Sequence, residues 1–200
     1  RMKRKLLSIF LVAAMIVSIF PITVFAEFSD VQGHWGQAEI EKWSEKGIIV
    51  GSDGMFRPNA PITRGEMAVI LDRVMKYQVK ADNSFKDLGQ SWYTEAVLKA
   101  NAAGVILGND GIVRPNDNIT REEAAVVFAR ALRIHPDTEG NSSPFKDRSQ
   151  ISSWAVNYVS ALASKGYING DSNGNFNPKA AITRAEVVKM LDNSVKELYN

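Results

Sequence analysis

The sequence predicts a mainly α-helical domain built from three copies of one helix–loop–helix unit. The motif Ile-Thr-Arg-x-Glu occurs three times, at 62–66, 119–123 and 182–186. A segment that begins with Phe-x-Asp and ends in Trp precedes each motif at a nearly constant distance. Apolar side chains at helical spacing follow each motif, so the repeat and its helices are predicted together.

The first 26 residues are predicted to be a secretory signal and not part of the fold. A basic start, RMKRK, is followed by a long apolar run and a small residue, Ala26, at the predicted cleavage site. A transmembrane anchor is the alternative, because the segment from Leu6 to Ala26 is just long enough to span a bilayer. Pro21, near the end of that segment, favours the signal.

Composition is typical of a globular chain and excludes several functions. The 200 residues are 45% hydrophobic and 23% charged. The leader holds four of the 24 basic residues and none of the 22 acidic ones, so its removal changes the net charge from +2 to −2. No basic run remains that would favour nucleic acid. The absence of cysteine excludes disulfides, thiolate metal sites and a cysteine nucleophile.

The first helix of each repeat is predicted to begin near the tryptophan. In the second and third copies, small or apolar side chains then share one helical face. They are Trp92, Ala96, Ala100, Ala103 and Trp154, Tyr158, Ala161, Leu162. A glycine follows each tryptophan after twelve residues, at Gly47, Gly104 and Gly166, where a left-handed cap would end the helix.

The loop between the two helices is rich in glycine, aspartate, asparagine and proline, as in GSDGMFRPN at 51–59. This composition predicts a tight turn and a short extended piece. A calcium loop is excluded by spacing. Counted from Asp53, position 12 is Arg64, where such loops need a glutamate. The other two copies fail the same test, so no metal site is predicted.

The second helix of each repeat is predicted to begin at the threonine, because Thr-x-x-Glu before an apolar stripe forms a capping box. The pairs are Thr63/Glu66, Thr120/Glu123 and Thr183/Glu186. The stripes are Met67, Ile70, Leu71, Val74, then Ala124, Val127, Phe128, Ala131, then Val187, Met190, Leu191.

Polar linkers divide the chain into repeats at 27–80, 84–134 and 144–200. One repeat of about 55 residues is too small to bury both helices, so the three are predicted to pack as one three-lobed domain.

Capping does not explain the arginine that follows each threonine, because a positive charge is mildly unfavourable at a helix N-terminus. These arginines are Arg64, Arg121 and Arg184. Two explanations remain open from the residues alone. A guanidinium beside free helix amides could bind a carboxylate or phosphate. Alternatively, each arginine forms an ion pair with a local acid from the repeated Phe-x-Asp, which gives Asp30, Asp87 and Asp147.

The tryptophans Trp35, Trp92 and Trp154 could be sugar-stacking platforms or core anchors, and their place at a helix start favours the core. Catalysis finds little support. His34 and His135 have no equivalents in the other copies, and nucleophile, metal-ligand and phosphate-loop motifs are absent. Triplication suits a binder, which gains avidity, better than an enzyme. The sequence predicts neither an enzyme nor a cofactor.

The segment FSDVQGHW, together with GIIVGSDGMFRPNAPITRGE and the two counterparts, resembles the S-layer homology (SLH) domain family over nearly all of 28–198. The resemblance implies a pseudo-threefold, three-lobed fold around a central helical bundle, with ligand in grooves between lobes. It also implies non-covalent attachment of an exported protein to a bacterial wall of Gram-positive type. The implied partner is a secondary cell-wall polysaccharide, commonly one that bears pyruvyl ketals.

The resemblance also implies ligand-binding residues. The three motif arginines would bind the ketal carboxylate, the three aspartates would bind sugar hydroxyls or orient the arginines, and the three tryptophans would line groove walls. Gly51, Gly108 and Gly170 would let the ligand approach the backbone. The membrane would be a partner only transiently, through the signal. A protein–protein or surface-layer self-assembly module is the alternative function.

Copy three departs from the pattern of the other two. Its aspartate and tryptophan, Asp147 and Trp154, are seven residues apart instead of five, and its loop has one extra residue. It also has Asn177 where the other copies have Arg57 and Arg114. The groove that depends on copy three is therefore expected to be altered or silent.

Overall fold

The computed structural model describes residues 28–137 and 143–195, and the predicted signal at 1–26 lies outside these ranges. The described chain forms six α-helices, which confirms the mainly α-helical, three-repeat prediction. They are α1 (Gln37–Glu45), α2 (Arg64–Met75), α3 (Thr94–Ala102), α4 (Arg121–Ala131), α5 (Val156–Ser164) and α6 (Arg184–Val195). Of these, none is long and apolar enough to cross a membrane.

The ends of the helices follow the predicted chemistry. In α2, α4 and α6 the threonine hydroxyl accepts the glutamate amide at 3.2 to 3.3 Å, and the glutamate carboxylate accepts the threonine amide at 2.8 Å. Both halves of each capping box are therefore present. Gly47, Gly104 and Gly166 have φ values of +69°, +72° and +71° and lie just after α1, α3 and α5, as a left-handed cap requires.

The three repeats close into a ring because each second helix packs against the first helix of the next repeat. Helix α2 packs on α3, α4 packs on α5, and α6 returns to pack on α1. The stripes predicted for the second helices are buried along their whole length. In the first helices, Ala96, Ala100, Ala161 and Leu162 are buried, but Ala103 is exposed because α3 ends before it.

Three isoleucines join the repeats through a closed cycle of backbone hydrogen bonds. The Ile62 N–H donates to the Ile182 carbonyl at 3.1 Å, and the Ile182 N–H donates to the Ile119 carbonyl at 3.0 Å. The Ile119 N–H donates to the Ile62 carbonyl at 3.0 Å, which closes the cycle. Because each isoleucine contacts both others, the cycle lies on the pseudo-threefold axis, and all three side chains are at most 2% exposed.

The contact between α1 and α6 joins the first repeat to the last. Trp43 is fully buried there, and its indole N–H donates to Asp192 Oδ1 at 3.1 Å. The same oxygen accepts from Lys42 Nζ at 2.7 Å. The other repeats have Ala100 and Leu162 at the position of Trp43. The largest of these three side chains therefore lies at the contact that closes the ring.

The two extra residues of copy three have a structural role. The segment Arg148–Gln150 forms a 3-10 turn, and Ser152 beyond it hydrogen-bonds to Glu122 of copy two through its amide and its hydroxyl, both at 2.9 Å. Glu122 is only 3% exposed and also pairs with Lys179. A buried carboxylate needs such partners, and the longer spacing supplies one of them.

Candidate ligand grooves

Three grooves lie between the repeats, and every repeat contributes to each groove. A groove is lined by the loop of one repeat, the motif arginine of the preceding repeat and the exposed tryptophan of the following repeat. Groove 1 contains the loop of repeat 1, Arg184 and Trp92, in about 310 Å³. Groove 2 contains the loop of repeat 2, Arg64 and Trp154, in about 460 Å³. Groove 3 contains the loop of repeat 3, Arg121 and Trp35, in about 620 Å³.

The repeated tryptophans lie in these grooves and not in the core. Trp35, Trp92 and Trp154 are 60%, 67% and 52% exposed. The preference for core anchors drawn from the residues alone is therefore wrong. The tryptophans are exposed because helices α1, α3 and α5 each begin two residues after the tryptophan. The indole therefore lies before the helix and does not continue its buried stripe. The first helix instead buries Trp43, which the repeat pattern does not single out.

The motif arginines form ion pairs, but their partners are glutamates and not the predicted aspartates. Arg184 Nη1 lies 2.9 Å from Glu66 Oε1, and Arg121 Nη1 lies 2.7 Å from Glu186 Oε1. The third pair joins Arg64 to Glu123. Each arginine therefore binds the capping-box glutamate of the next repeat, so one carboxylate both caps a helix and joins two repeats.

The amides at the starts of α2, α4 and α6 are not free, which corrects the expectation of an anion site made from them. The Arg184 amide donates to the Ala60 carbonyl at 2.9 Å, and the next amide donates to the Pro58 carbonyl at 3.0 Å. Helices α2 and α4 bind the next repeat in the same way. These amides hold the repeats together, so they are not available to bind an anion in the grooves.

Two of the motif arginines also bind the neighbouring loop. Arg184 Nε and Nη2 donate to the carbonyls of Phe56 and Val50 at 2.8 and 3.0 Å, and its guanidinium lies 4.6 Å from the Phe56 ring centre. Arg121 makes the matching contacts with the loop of repeat 3. Repeat 2 has Val113 at the position of this phenylalanine, so that loop position offers Arg64 no ring to stack on.

The repeated aspartates hold the loop backbone. Asp30 accepts the amides of Phe56 and Arg57 at 2.8 and 2.7 Å, one on each carboxylate oxygen. Asp87 and Asp147 bind the equivalent amides of their own repeats. Burial raises the pKa of Asp30, but the backbone hydrogen bonds and the nearby charge of Arg57 together lower it more, so the pKa lies below its ordinary value. In the described chain, no hydrogen bond or ion pair joins these aspartates to the motif arginines.

The loop residue that each aspartate fixes has a left-handed backbone. The φ angles of Arg57, Arg114 and Asn177 are +60°, +50° and +57°. Asparagine tolerates this conformation, whereas arginine is uncommon there and costs about 1 kcal/mol. Arg57 lines groove 1 and Arg114 lines groove 2. A strained residue that lines a groove supports a functional role for its side chain. In the sequence, these two arginines stand out only as a difference from copy three.

Two more groove arginines come from the second helices. Arg73 lines groove 1 and Arg130 lines groove 2, each nine residues after a motif arginine. Groove 3 has Asn193 at the equivalent position. Sequence reasoning missed both arginines because they lie outside the apolar stripe, where an exposed charge is expected. Their shared spacing in two repeats is the signal that could have identified them.

The predicted glycines Gly51, Gly108 and Gly170 also line the grooves. A side chain at Gly108 would place its Cβ 2.6 Å from Phe85 Cε1 and 2.8 Å from the Ile112 carbonyl oxygen. The phenylalanine of Phe-x-Asp therefore already explains the need for glycine. A role for these glycines in ligand approach remains a prediction.

Stability is expected to fall in acid because several carboxylates have lowered pKa values. Burial raises the pKa of Asp192, but hydrogen bonds from Lys42 and Trp43 outweigh it, and the pKa lies below its ordinary value of 3.8. The pKa values of Asp30, Asp87 and Glu123 are also lowered. The folded state then binds fewer protons than the unfolded state, so the free energy of unfolding decreases as the pH drops through and below the ordinary values.

Urea unfolding between pH 7 and pH 3 measures this dependence. The variant Asp192→Asn should show a shallower decrease than the wild-type chain, since one of the contributing groups is gone. A free energy of unfolding that stays constant or rises toward pH 3 would contradict the prediction.

The fold of the described residues is thus a closed ring of three helix–loop–helix repeats with a groove between neighbouring repeats. The family model for the S-layer homology domain matches residues 27–68, 84–125 and 144–188. The chain therefore belongs to the S-layer homology domain family, which confirms the resemblance. Membership identifies an exported protein associated with the bacterial cell wall or surface layer.

Proteins of three kinds are related in sequence to this chain. The chain is 32% identical over 170 residues to an amylopullulanase of Thermoanaerobacterium thermosulfurigenes, covering 82% of this chain and 9% of that protein. It is 30% identical over 203 residues to the S-layer protein sap of Bacillus anthracis, covering 97% and 24%. It is 30% identical over 151 residues to a cellulosome-anchoring protein of Acetivibrio thermocellus, covering 72% and 34%. The chain thus spans at most about a third of these relatives.

Proposed function

We propose that this chain anchors its protein to the bacterial cell wall by binding an anionic secondary cell-wall polysaccharide in the grooves, with the carboxylate of a pyruvyl ketal as the recognised group. The observation that carries this proposal is the composition of grooves 1 and 2. Each combines a set of arginines, an exposed tryptophan and an exposed aliphatic side chain.

The charge in these two grooves suits a carboxylate. Groove 1 has three arginines, Arg57, Arg73 and Arg184, against one glutamate, Glu66. Groove 2 has Arg64, Arg114 and Arg130 against Glu123. Each glutamate is already paired with the motif arginine, so the loop and helix arginines carry the excess positive charge. Arg57 also lies 3.6 Å from Asp53, but both side chains of that pair are exposed, and such a pair is weak. A guanidinium binds a carboxylate through two parallel hydrogen bonds, which favours this partner over a neutral one.

The apolar side chains of the grooves suit the rest of such a ligand. Val50 in groove 1 and Leu107 in groove 2 are 52% and 53% exposed, so each offers an apolar surface to a ligand in its groove. A ketal methyl group would pack against them, and the sugar ring would lie on Trp92 or Trp154. The motif arginine of the preceding repeat would contact the carboxylate. In both grooves a glutamate holds this arginine, and in groove 1 loop carbonyls hold it as well.

The remaining predicted site residues act in this proposal mainly through the backbone. The aspartates Asp30 and Asp87 fix the loops that carry Arg57 and Arg114, so they position a binding residue and need not touch the sugar. The relatives support attachment as the shared role, since the same module occurs in proteins named for a surface layer, for cellulosome anchoring and for an enzyme.

A sedimentation experiment tests the proposed function. Purified residues 27–200 are mixed with intact walls, with walls from which the ketal has been removed, and with walls stripped of polysaccharide. The chain should sediment with intact walls, less with walls that lack the ketal, and not with stripped walls. Equal sedimentation in all three cases would exclude the polysaccharide as partner and would favour a protein–protein module instead.

A further inference from the structure

Groove 3 differs from the other two grooves at three equivalent positions, and each of the three is an asparagine. Asn169 replaces the exposed aliphatic residue, Asn177 replaces the left-handed arginine, and Asn193 replaces the helix arginine. We infer that groove 3 binds an uncharged sugar unit, so that one ring combines two specificities. This inference rests on the proposed polysaccharide function and extends it.

The charges in groove 3 do not suit an anion. Among the residues that the structure describes, its cations are Arg121 and Lys189, and its acids are Glu186 and Asp171. Arg121 is paired with Glu186 at 2.7 Å, and Lys189 is paired with a glutamate of α1. Positive and negative groups among the described residues of groove 3 are therefore equal in number and largely paired. Grooves 1 and 2 each have two arginines beyond the one that is paired with the groove glutamate, and of these Arg57 has, in the described chain, only the exposed Asp53 at 3.6 Å as an ion-pair partner. A carboxylate in groove 3 would gain little from the cations and would face Asp171.

The polar groups that groove 3 does offer suit sugar hydroxyls. A carboxamide both donates and accepts hydrogen bonds, whereas a guanidinium only donates, and a hydroxyl needs both. The Asn169 side chain has no hydrogen-bond partner among the described residues. Asn193 donates to the Tyr167 carbonyl at 3.4 Å, and Asn177 donates to Asp171 at 2.9 Å, so the carbonyl oxygen of each amide remains available to accept.

Groove 3 also keeps the features that a sugar needs in common with the other grooves. Trp35 is 60% exposed and offers a flat apolar face. The volume, about 620 Å³, is larger than the 460 and 310 Å³ of grooves 2 and 1. Asn177 adopts the left-handed backbone without the cost that arginine pays, so the exchange leaves the loop intact. The groove is thus a polar site of the same architecture and not a collapsed one.

Isothermal titration with two probes tests this inference. The probes are a soluble fragment of the wall polysaccharide that bears the ketal and the same fragment after mild acid has removed the ketal. The neutral fragment should bind one site per chain, and the variant Trp35→Ala, or the double variant Asn169→Ala with Asn193→Ala, should weaken that binding at least tenfold. The double variant Arg57→Asn with Arg114→Asn should leave it unchanged.

The outcomes separate this inference from the function on which it rests. If the ketal-bearing fragment binds and the neutral one does not, the inference is wrong and the proposed function stands. Loss of neutral binding in the Arg57 and Arg114 double variant, without loss in Trp35→Ala, would also overturn it. If neither fragment binds, both proposals fail. Circular dichroism of each variant shows that a loss of binding does not come from unfolding.

Discussion

Replacing Arg57 and Arg114 together with asparagine is expected to abolish most binding of the ketal-bearing polysaccharide without destabilising the fold. Each substitution removes one guanidinium from a groove, and a hydrogen bond to a charged group contributes about 1.5 to 3 kcal/mol. A monovalent fragment should therefore bind at least about tenfold more weakly in each groove. A polymer that occupies both grooves at once should lose about a hundredfold or more.

The stability of that double variant should change by less than about 1 kcal/mol. Asparagine relieves the left-handed strain that arginine bears, and this gain offsets the lost hydrogen bond from Arg57 to Ser52, which is 2.6 Å long. Repeat 3 already has asparagine at this position with the same aspartate contact. Urea unfolding measures the stability, and titration with the fragment measures the affinity.

Arg133 supplies a matched control for this experiment. It also has a left-handed backbone, with φ of +54°, and it is exposed just after α4 but lines none of the three grooves. The variant Arg133→Asn loses one positive charge and relieves the strain of one left-handed residue, as each single variant at Arg57 or Arg114 does, so it is compared with those single variants. It should keep wild-type affinity, whereas an equal loss in both variants would show that net charge, and not the groove, determines binding.

Replacing Trp43 with alanine should cause the largest loss of stability of any variant considered, about 4 kcal/mol. The side chain is fully buried, and removal of a buried aromatic ring costs about 3 to 5 kcal/mol through lost burial and the cavity left behind. It also removes the indole donor from Asp192 at the contact that closes the ring. Urea unfolding measures the loss directly.

Trp35, eight residues earlier, provides the contrasting variant. Because its indole is largely exposed, Trp35→Ala should change the free energy of unfolding by less than about 0.5 kcal/mol, as surface substitutions usually do. The pair thus separates a tryptophan of the fold from a tryptophan of a groove. Similar destabilisation by both substitutions would contradict the assignment of Trp35 to groove 3.

The features that could be predicted from the sequence are those that depend on neighbours along the chain. A capping box joins residues three apart, and a helix cap depends on one glycine, so Thr63, Glu66 and Gly47 have the predicted roles. The repeat itself could be predicted because its landmarks recur in register. The signal at 1–26, the repeat boundaries and the ligand residues remain predictions.

The features that were missed depend on which repeats are neighbours in space. The pairing of Arg64 with Glu123 crosses 59 residues and follows only from the ring closure, which periodicity alone does not give. The exposure of the three tryptophans depends on where the first helix of each repeat begins, which is only two residues after the tryptophan. The importance of Arg57 lies in its φ angle, and no local rule predicts a left-handed arginine.

The cycle of Ile62, Ile119 and Ile182 joins the three repeats into one closed unit. The amide and the carbonyl of each isoleucine are both used within the cycle. An open solenoid can gain or lose a unit at its end, but here removal of one repeat would leave one donor and one acceptor of the cycle unpaired, and a further repeat could enter only by breaking one of its hydrogen bonds. Because every repeat also contributes to each groove, deletion of a whole repeat would disrupt all three grooves together.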